Sequence, residues 1–223
     1  MQYRHEWKHE ISYADLLTLR SRLSAVLCLD AHAENGSYLV RSLYFDNAAD
    51  KALREKIDGV NMREKFRIRY YNGDLSTLHL EKKSKRGGLG SKESTPLTEA
   101  QAQSIVDGTV DWMKDSGNPL LEELYSKMQT QGLSPKTIVD YQRDPYVFAP
   151  GNVRVTLDYN IRSGLQCTDF LNPRCVTVPV RNSPIILEVK WDNYLPSLIR
   201  DVVQLPACRT EAYSKYAACR VYG

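Results

Sequence analysis

The sequence predicts an α+β fold dominated by antiparallel β-strands, and three observations carry that prediction. Charged and apolar residues alternate with period two in many separate segments, capped helical segments punctuate them, and Gly-rich turns join neighbours. Period two is the strand signature because successive side chains point to opposite faces of a pleated sheet. The chain has 223 residues, 42% hydrophobic and 26% charged. That is the composition of a folded domain, and it excludes disordered, collagenous and disulfide-dense classes. A chain of this size buries roughly 70% of its unfolded surface, so a core forms without staples. No internal repeat, low-complexity tract or linker interrupts it, and 1–223 reads as a single domain.

The first strand covers 3–11, with Arg4, Glu6, Lys8 and Glu10 on one face and Tyr3, Trp7 and Ile11 on the other. Ser12 is an N-cap, with Asp15 three residues on, for a helix over roughly 13–27 carrying Leu16, Leu17, Leu19, Leu23 and Val26. A second helix is expected over 47–57, closed by Asp58-Gly59. Alternation returns over 63–70, where Arg63, Lys65, Arg67 and Arg69 oppose Phe66, Ile68 and Tyr70. The 78–85 segment then gathers Glu81, Lys83 and Lys85 on one face, and Gly87-Gly88-Leu89-Gly90 reads as a turn. Helices follow over 98–106 and 118–131, the latter with Pro119 in its first turn and Gly132 past its end. Strands resume with Tyr141 and Arg143, then, past a turn at 149–152, with Arg154, Thr156 and Asp158 opposite Val153, Val155 and Leu157. The last strand sets Glu188 and Lys190 opposite Leu187, Val189 and Trp191, and 209–221 reads as a C-terminal helix.

Thirty Lys and Arg against 27 Asp and Glu leave a formal net charge of +3. That is too little for an exposed nucleic-acid coat, so no nucleic-acid partner is expected. The longest apolar runs fall far short of the ~20 residues of a spanning helix, and 1–11 is polar at nearly every second position, unlike a secretion signal. The chain therefore reads as cytoplasmic, with no membrane segment of its own. Cys28, Cys167, Cys175, Cys208 and Cys219 form no CxxC pair, and neither they nor His5, His9, His32 and His79 make a zinc pattern. They read as free thiols of a reducing compartment.

The charged faces are the informative feature. Arg4, Lys8, Arg63, Lys65, Arg67, Arg69, Lys83, Lys85, Arg143, Arg154 and Lys190 are eleven cations, set against the five acids Glu6, Glu10, Glu81, Asp158 and Glu188. Two readings stand. The faces are simply solvated, as on one side of an ordinary antiparallel sheet, or the sheet closes into a barrel with helices outside and the charges line a lumen. Such a lumen needs an anionic guest, because confined like charges repel and are costly to desolvate. Carboxylates among the cations suit Mg²⁺ or Mn²⁺, which take hard oxygen ligands.

Eight motifs then follow one another in order: Arg4-x-Glu6-x-Lys8, Ser42-Leu43-Tyr44-Phe45-Asp46, Lys65-Phe66-Arg67-Ile68-Arg69-Tyr70, Leu80-Glu81-Lys82-Lys83, Tyr141-Gln142-Arg143, Arg154-Val155-Thr156-Leu157-Asp158, Leu187-Glu188-Val189-Lys190 and Ser214-Lys215-Tyr216. Together they resemble the VTC domain, the polyphosphate polymerase domain of vacuolar transporter chaperone proteins, in its short bacterial form. That family is grouped with the triphosphate tunnel metalloenzymes, the CYTH enzymes among them. The likeness runs from Tyr3 to Cys219. It implies an antiparallel eight-stranded β-barrel, a triphosphate tunnel with helices packed outside, that takes ATP and polyphosphate or triphosphate with Mn²⁺ or Mg²⁺. By motif, Lys8, Arg67, Arg69, Lys83, Arg143 and Lys215 resemble the catalytic cations that grip phosphates. Lys92 sits where a further tunnel lysine is expected, Tyr141 and Ser214 resemble supporting hydroxyls, and Arg4 and Lys85 join the phosphate-binding set. Glu188 resembles the principal metal-binding acid. Glu6, Glu81, Arg154, Asp158 and Lys190 carry over to metal, phosphate or inter-strand pairing without the resemblance choosing among these. Eukaryotic members work beside membrane domains, so a separate membrane partner is one implication and a cytoplasmic product the other.

The chemistry agrees with those roles. Phosphoryl transfer needs positioning and charge neutralisation rather than a covalent nucleophile, and the sequence offers no catalytic triad. An ATP-dependent polymerase, a triphosphatase using water as acceptor, and a non-catalytic sensor of polyphosphate or inositol phosphates share these requirements.

Overall fold

A computed structural model of the chain describes residues 4–33, 35–206, 209–210 (backbone only) and 213–221. Tyr3 and Cys208 lie outside the described residues.

Eight strands of seven to fifteen residues make the body: β1 (His5–Ile11), β2 (Tyr38–Asp46), β3 (Arg63–Tyr71), β4 (Asp74–Arg86), β5 (Leu89–Pro96), β6 (Ser134–Phe148), β7 (Val153–Ser163) and β8 (Ile185–Trp191). They form one antiparallel sheet in the order β1-β8-β7-β6-β2-β3-β4-β5. Two tight hairpins set the register. Asn72-Gly73 joins β3 to β4 and Gly87-Gly88 joins β4 to β5, each pair with positive φ (51° and 74°, 57° and 84°), the geometry that matches strand twist. The sheet curls until its two ends meet. The Arg4 N–H donates to the Gly90 carbonyl (3.1 Å), while the far end of β1 pairs with 209–210 instead. The result is a barrel with a narrow seam.

Among the described residues six α-helices accompany the sheet: α1 (Tyr13–Val26), α2 (Lys51–Ile57), α3 (Glu99–Val106), α4 (Pro119–Gln131), α5 (Ser197–Val202) and α6 (Lys215–Val221). Ser12–Asp15 and Thr98–Gln101 are reciprocal capping boxes, and Gly132 closes α4 in the left-handed conformation. Against the outer face of β2–β4, Phe45, Phe66, Ile68, Leu78 and Leu80 bury with Ile105 of α3 and Leu121 and Leu124 of α4. On the far wall, Val155, Leu157, Leu187, Val189 and Trp191 bury with Leu16, Leu19 and Leu23 of α1 and Ile199 of α5. Each such side chain contributes roughly 1.5–3 kcal/mol through burial.

The helices are not all outside. Tyr38, Val40, Tyr44, Val139 and Tyr141 point inward, and α6 covers them with Tyr216, Ala218 and Cys219. Tyr216 stacks on Tyr44 (5.1 Å) and its hydroxyl donates to Asp46 (2.7 Å). Asp46 also accepts the Ala52 and Leu53 N–H groups at the start of α2, so α2 and α6 together close one end. An α6 of seven residues has no long apolar stripe to lay on the sheet, and its aromatic fits the end of the barrel instead.

Local differences from the sequence reading have local causes. The second helix starts at Lys51 rather than 47 because Asp50 is left-handed (φ 52°), which an α-helix cannot pass through. Residues 209–210 pair with β1 as strand, so the C-terminal helix begins at Lys215. The six residues of α5 are too few to show a helical period. Among the described residues, no helix is long and apolar enough to cross a membrane.

Candidate functional site

Residues directly opposite one another on antiparallel strands share a face, so the register traces the inner wall strand by strand. Glu6 opposes Lys190 and Lys8 opposes Glu188. Lys190 then opposes Arg154, and Glu188 opposes Thr156. Arg143 lies between Asp158 and Tyr38, and Tyr141 opposes Val40. Ser42 and Tyr44 face Arg69 and Arg67. Arg67 opposes Glu81, Lys65 opposes Lys83, and Lys83 opposes Lys92. The alternating charges therefore line the inside. Trp7 and Trp191 pack edge to face (4.7 Å) on the outside, clear of the lumen.

On the first wall, Lys8 Nζ lies 3.3 Å from Glu188 and 3.4 Å from Glu6. Lys83 Nζ donates to Glu6 (3.1 Å), and Lys190 touches Glu188 and lies 3.6 Å from Glu6. Burial pushes the Glu188 carboxyl up, but Lys190, Lys8, Lys83 and Arg143 together hold it well below the usual carboxylate range. Burial and the neighbouring Glu188 raise Glu6, and the same lysines bring it down. The amine of Lys83 is pushed down to about 7, first by repulsion from Lys8 and then by desolvation.

Across the tunnel, Glu81 accepts from Arg67 Nε (2.7 Å) and Lys92 Nζ (2.8 Å), with Arg69 3.7 Å away. Arg67 also donates to the Tyr44 hydroxyl (2.8 Å), and Arg69 to Ser42 Oγ (2.9 Å) and the Tyr141 hydroxyl (3.0 Å). Towards the closed end, Arg143 grips Asp158 with two donors (2.6 and 2.7 Å), and Lys215 of α6 adds a third (2.6 Å). Burial is the largest influence on Asp158, yet Arg143 and Lys215 overcome it and hold the carboxyl at about 2. Tyr141 ties the groups together, with Lys215, Arg143 and Arg69 lying 4.6, 5.3 and 5.9 Å from its ring.

Other candidates sit at the margins. Arg4 pairs with Asp192 (2.7 Å) and reaches the Asn152 carbonyl at the seam. Arg154 donates to Asp30 (2.8 Å) and the Tyr38 hydroxyl (2.7 Å). Lys85 lies at the open end of β4, opposite Arg63 and Gly90. Ser214 accepts from Lys65 (3.0 Å) and from the Ala217 N–H, which makes it a cap of α6. Glu10, counted with the charged face, is exposed at the rim.

Several lumen residues stand in the quoted motifs without an assigned role. Lys65 is one; burial first, then Lys56 and Arg63, push its amine down to about 7. Its alternation with Arg67 was signal enough to include it. Ser42, Tyr44 and Thr156 are others. The Thr156 hydroxyl is buried beside Glu188 with no partner in the protein, an orphan of the kind a ligand satisfies.

The acids fall into two sets. Glu6 and Glu188 share Lys8, whereas Glu81 is held by Arg67 and Lys92, and the structure does not bring it to the other two. Among the described residues, no three His, Cys, Asp or Glu side chains cluster as a metal cage. The Glu6–Glu188 pair instead fits an ion that takes one or two carboxylates and completes its shell with phosphate oxygens and water.

The model of one protein family, the VTC domain, matches residues 3–222. No curated protein matches the chain. Among solved structures, a Hippeastrum protein named for adenylyl cyclase and described as having a dominant triphosphatase activity is 14% identical, with a TM-score of 0.56 over 98% of this chain and 95% of that one. At that identity the likeness establishes the fold. The PH1819 protein from Pyrococcus horikoshii (13%, TM-score 0.46, 90% and 84% covered) and the Mimivirus capping enzyme triphosphatase (14%, TM-score 0.38, 89% and 84% covered) are also similar.

Proposed function

The chain belongs to the VTC domain family, and from that premise we propose that it is a metal-dependent polyphosphate polymerase. It transfers the γ-phosphate of ATP to a growing polyphosphate chain inside the tunnel. The observation that carries this reading is the surplus of inward cations whose few acids are already shared among them.

Arg67, Arg69 and Arg143 offer forked, permanently charged donors that match phosphate oxygens, and Lys8, Lys83, Lys92, Lys190 and Lys215 offer point charges. Tyr141 and Ser42 hold Arg69 at a fixed angle, so the donors are positioned before the anion arrives and need no reorganisation. Glu188, with Glu6 beside it, would hold Mn²⁺ or Mg²⁺. Such an ion, when bound, lowers the repulsion between donor and acceptor phosphates. No side-chain nucleophile is needed, since in-line positioning and charge neutralisation suffice.

The test is direct. Purified protein with ATP and Mn²⁺ should yield chains that resolve on a gel and vanish on treatment with exopolyphosphatase. Glu188→Gln should lose turnover at least 100-fold while still binding polyphosphate, and that binding should weaken with salt as screening sets in. One observation favours a second reading, hydrolysis with water as acceptor: the Hippeastrum protein of the same fold is described by its dominant triphosphatase activity. Free phosphate as the sole product would select that reading and sink the polymerase. Turnover unchanged in Glu188→Gln would remove the carboxylate from both.

A further inference from the structure

In the segment between β7 and β8, residues 167–175 pack on the outer-wall cluster of Phe45, Ile68 and Leu80, and two half-buried cysteines there lie unusually close. Cys167 Sγ and Cys175 Sγ are 3.0 Å apart, and both are free thiols. The backbone around each is held. The Cys167 N–H donates to the Gly164 carbonyl (2.8 Å) and the Cys175 N–H to the Asn172 carbonyl (3.0 Å). Between them Phe170 is fully buried, 4.9 Å from the ring of Tyr70, whose hydroxyl donates to the Phe170 carbonyl (3.0 Å). Arg41 anchors the same loop through the carbonyls of Asn172 (3.1 Å) and Cys175 (3.4 Å). Beyond Cys175, Thr177 donates to Asp140 (3.1 Å).

We propose that Cys167 and Cys175 are a redox-modification site that closes to a reversible disulfide, with a low-molecular-weight disulfide such as oxidised glutathione as oxidant. A disulfide needs the two sulfurs about 2 Å apart with aligned side chains, so closure asks for about 1 Å of movement in a loop already pinned at both ends. The exchange balances. The Cys167 thiolate attacks the small disulfide and one small thiol leaves; Cys175 then loses its proton and attacks the mixed disulfide, releasing the second. Two protein thiols are oxidised and one small disulfide is reduced to two thiols. Burial first, then the neighbouring Cys167, push the Cys175 thiol up to about 12; capping Cys167 removes its share and leaves the burial, so closure is slow at neutral pH and speeds up as pH rises. The bridge shortens the unfolded chain's freedom around 167–175 and leaves the tunnel wall in place.

The experiment uses the whole protein treated with oxidised glutathione and then digested with trypsin under non-reducing conditions. Arg174 lies between the two cysteines, so cleavage there separates them onto different peptides. The expected result is a linked pair, 163–174 joined to 175–181, that is 2 Da lighter than the sum and separates on reduction. The melting temperature should rise by about 5–10 °C and return with dithiothreitol, while Cys167→Ser and Cys175→Ser each abolish both changes. Stable glutathione adducts on separate peptides, cross-links to other cysteines, or two thiols that remain alkylatable throughout would each overturn the proposal.

Discussion

Along β3 a single residue step separates two chemistries: Phe66, Ile68 and Tyr70 face the helices, and Lys65, Arg67 and Arg69 face the tunnel. The outer face also carries charge, but there the buried cations meet acids of their own, in pairs or, around Lys82, in a cluster with Glu64, Glu93 and Glu123. Arg41 meets Asp140 with two donors (2.9 and 2.8 Å) and spends its remaining donors on loop carbonyls, both residues being under 10% exposed. Arg20 and the Tyr159 hydroxyl likewise satisfy Asp144. On the inner face the cations outnumber the acids that hold them: Lys8, Lys83 and Lys190 share two glutamates, Arg67, Arg69 and Lys92 share one, and Arg143 and Lys215 share Asp158. The outer charges complete a fold, whereas the inner ones leave an electrostatic deficit that an anion fills.

The largest test of that contrast is on the outer wall. Asp140→Ala strands a buried guanidinium and should lower unfolding free energy by about 3–5 kcal/mol, measured by urea titration, while triphosphate affinity of the folded protein stays within twofold. A comparable loss of affinity would mean that the two faces are not separable. Next comes Arg69→Met, which removes a phosphate donor that Arg67 already repels. Triphosphate binding should weaken about 10- to 100-fold, in line with the 1.5–3 kcal/mol of a charged hydrogen bond, with no loss of stability. Calorimetry and urea titration on the same variant would expose the opposite pattern.

Smaller still is the pH dependence. Lys65 and Lys83 titrate at about 7 in the free tunnel rather than at 10.5, so they shed protons as pH rises through 7. An anion against the amines favours their charged forms, so the bound protein holds more protons than the free one. Affinity therefore falls as pH rises above ~7, by at most tenfold per unit for each lysine. Proton uptake on binding, read by calorimetry in buffers of different ionisation enthalpy, checks this, and Lys83→Met should flatten the profile. Uptake of no protons would contradict the crowding of amines. The smallest effect belongs to an outer helix: Ser12→Ala, which breaks the capping box of α1, should cost about 1 kcal/mol of stability and leave binding untouched.

Much of this architecture is legible in the chain because strand alternation and helix caps are local. A period of two sorts Glu6 and Lys8 from Trp7 within three residues, and Ser12 with Asp15 starts a helix whatever lies across the barrel. The resemblance of eight ordered motifs added which charges to watch. Locality also sets the limit. The sequence placed Arg154 and Arg4 among the inward cations, but Asp30 and Asp192, both remote in sequence, engage them at the margins. It grouped Glu81 with Glu6 and Glu188, which the barrel separates into two walls. The motif resemblance put Ser214 and Lys215 at the tunnel, but no local pattern says that α6 seats Tyr216 against Tyr44 and Asp46.

Sequence alone thus determined the composition of each face, since that depends only on the pleat. The tertiary structure decided which face became the inside and which charges share a carboxylate. Those outcomes depend on curl and register, which bring together residues more than 100 positions apart such as Lys8 and Glu188, and no local period encodes them.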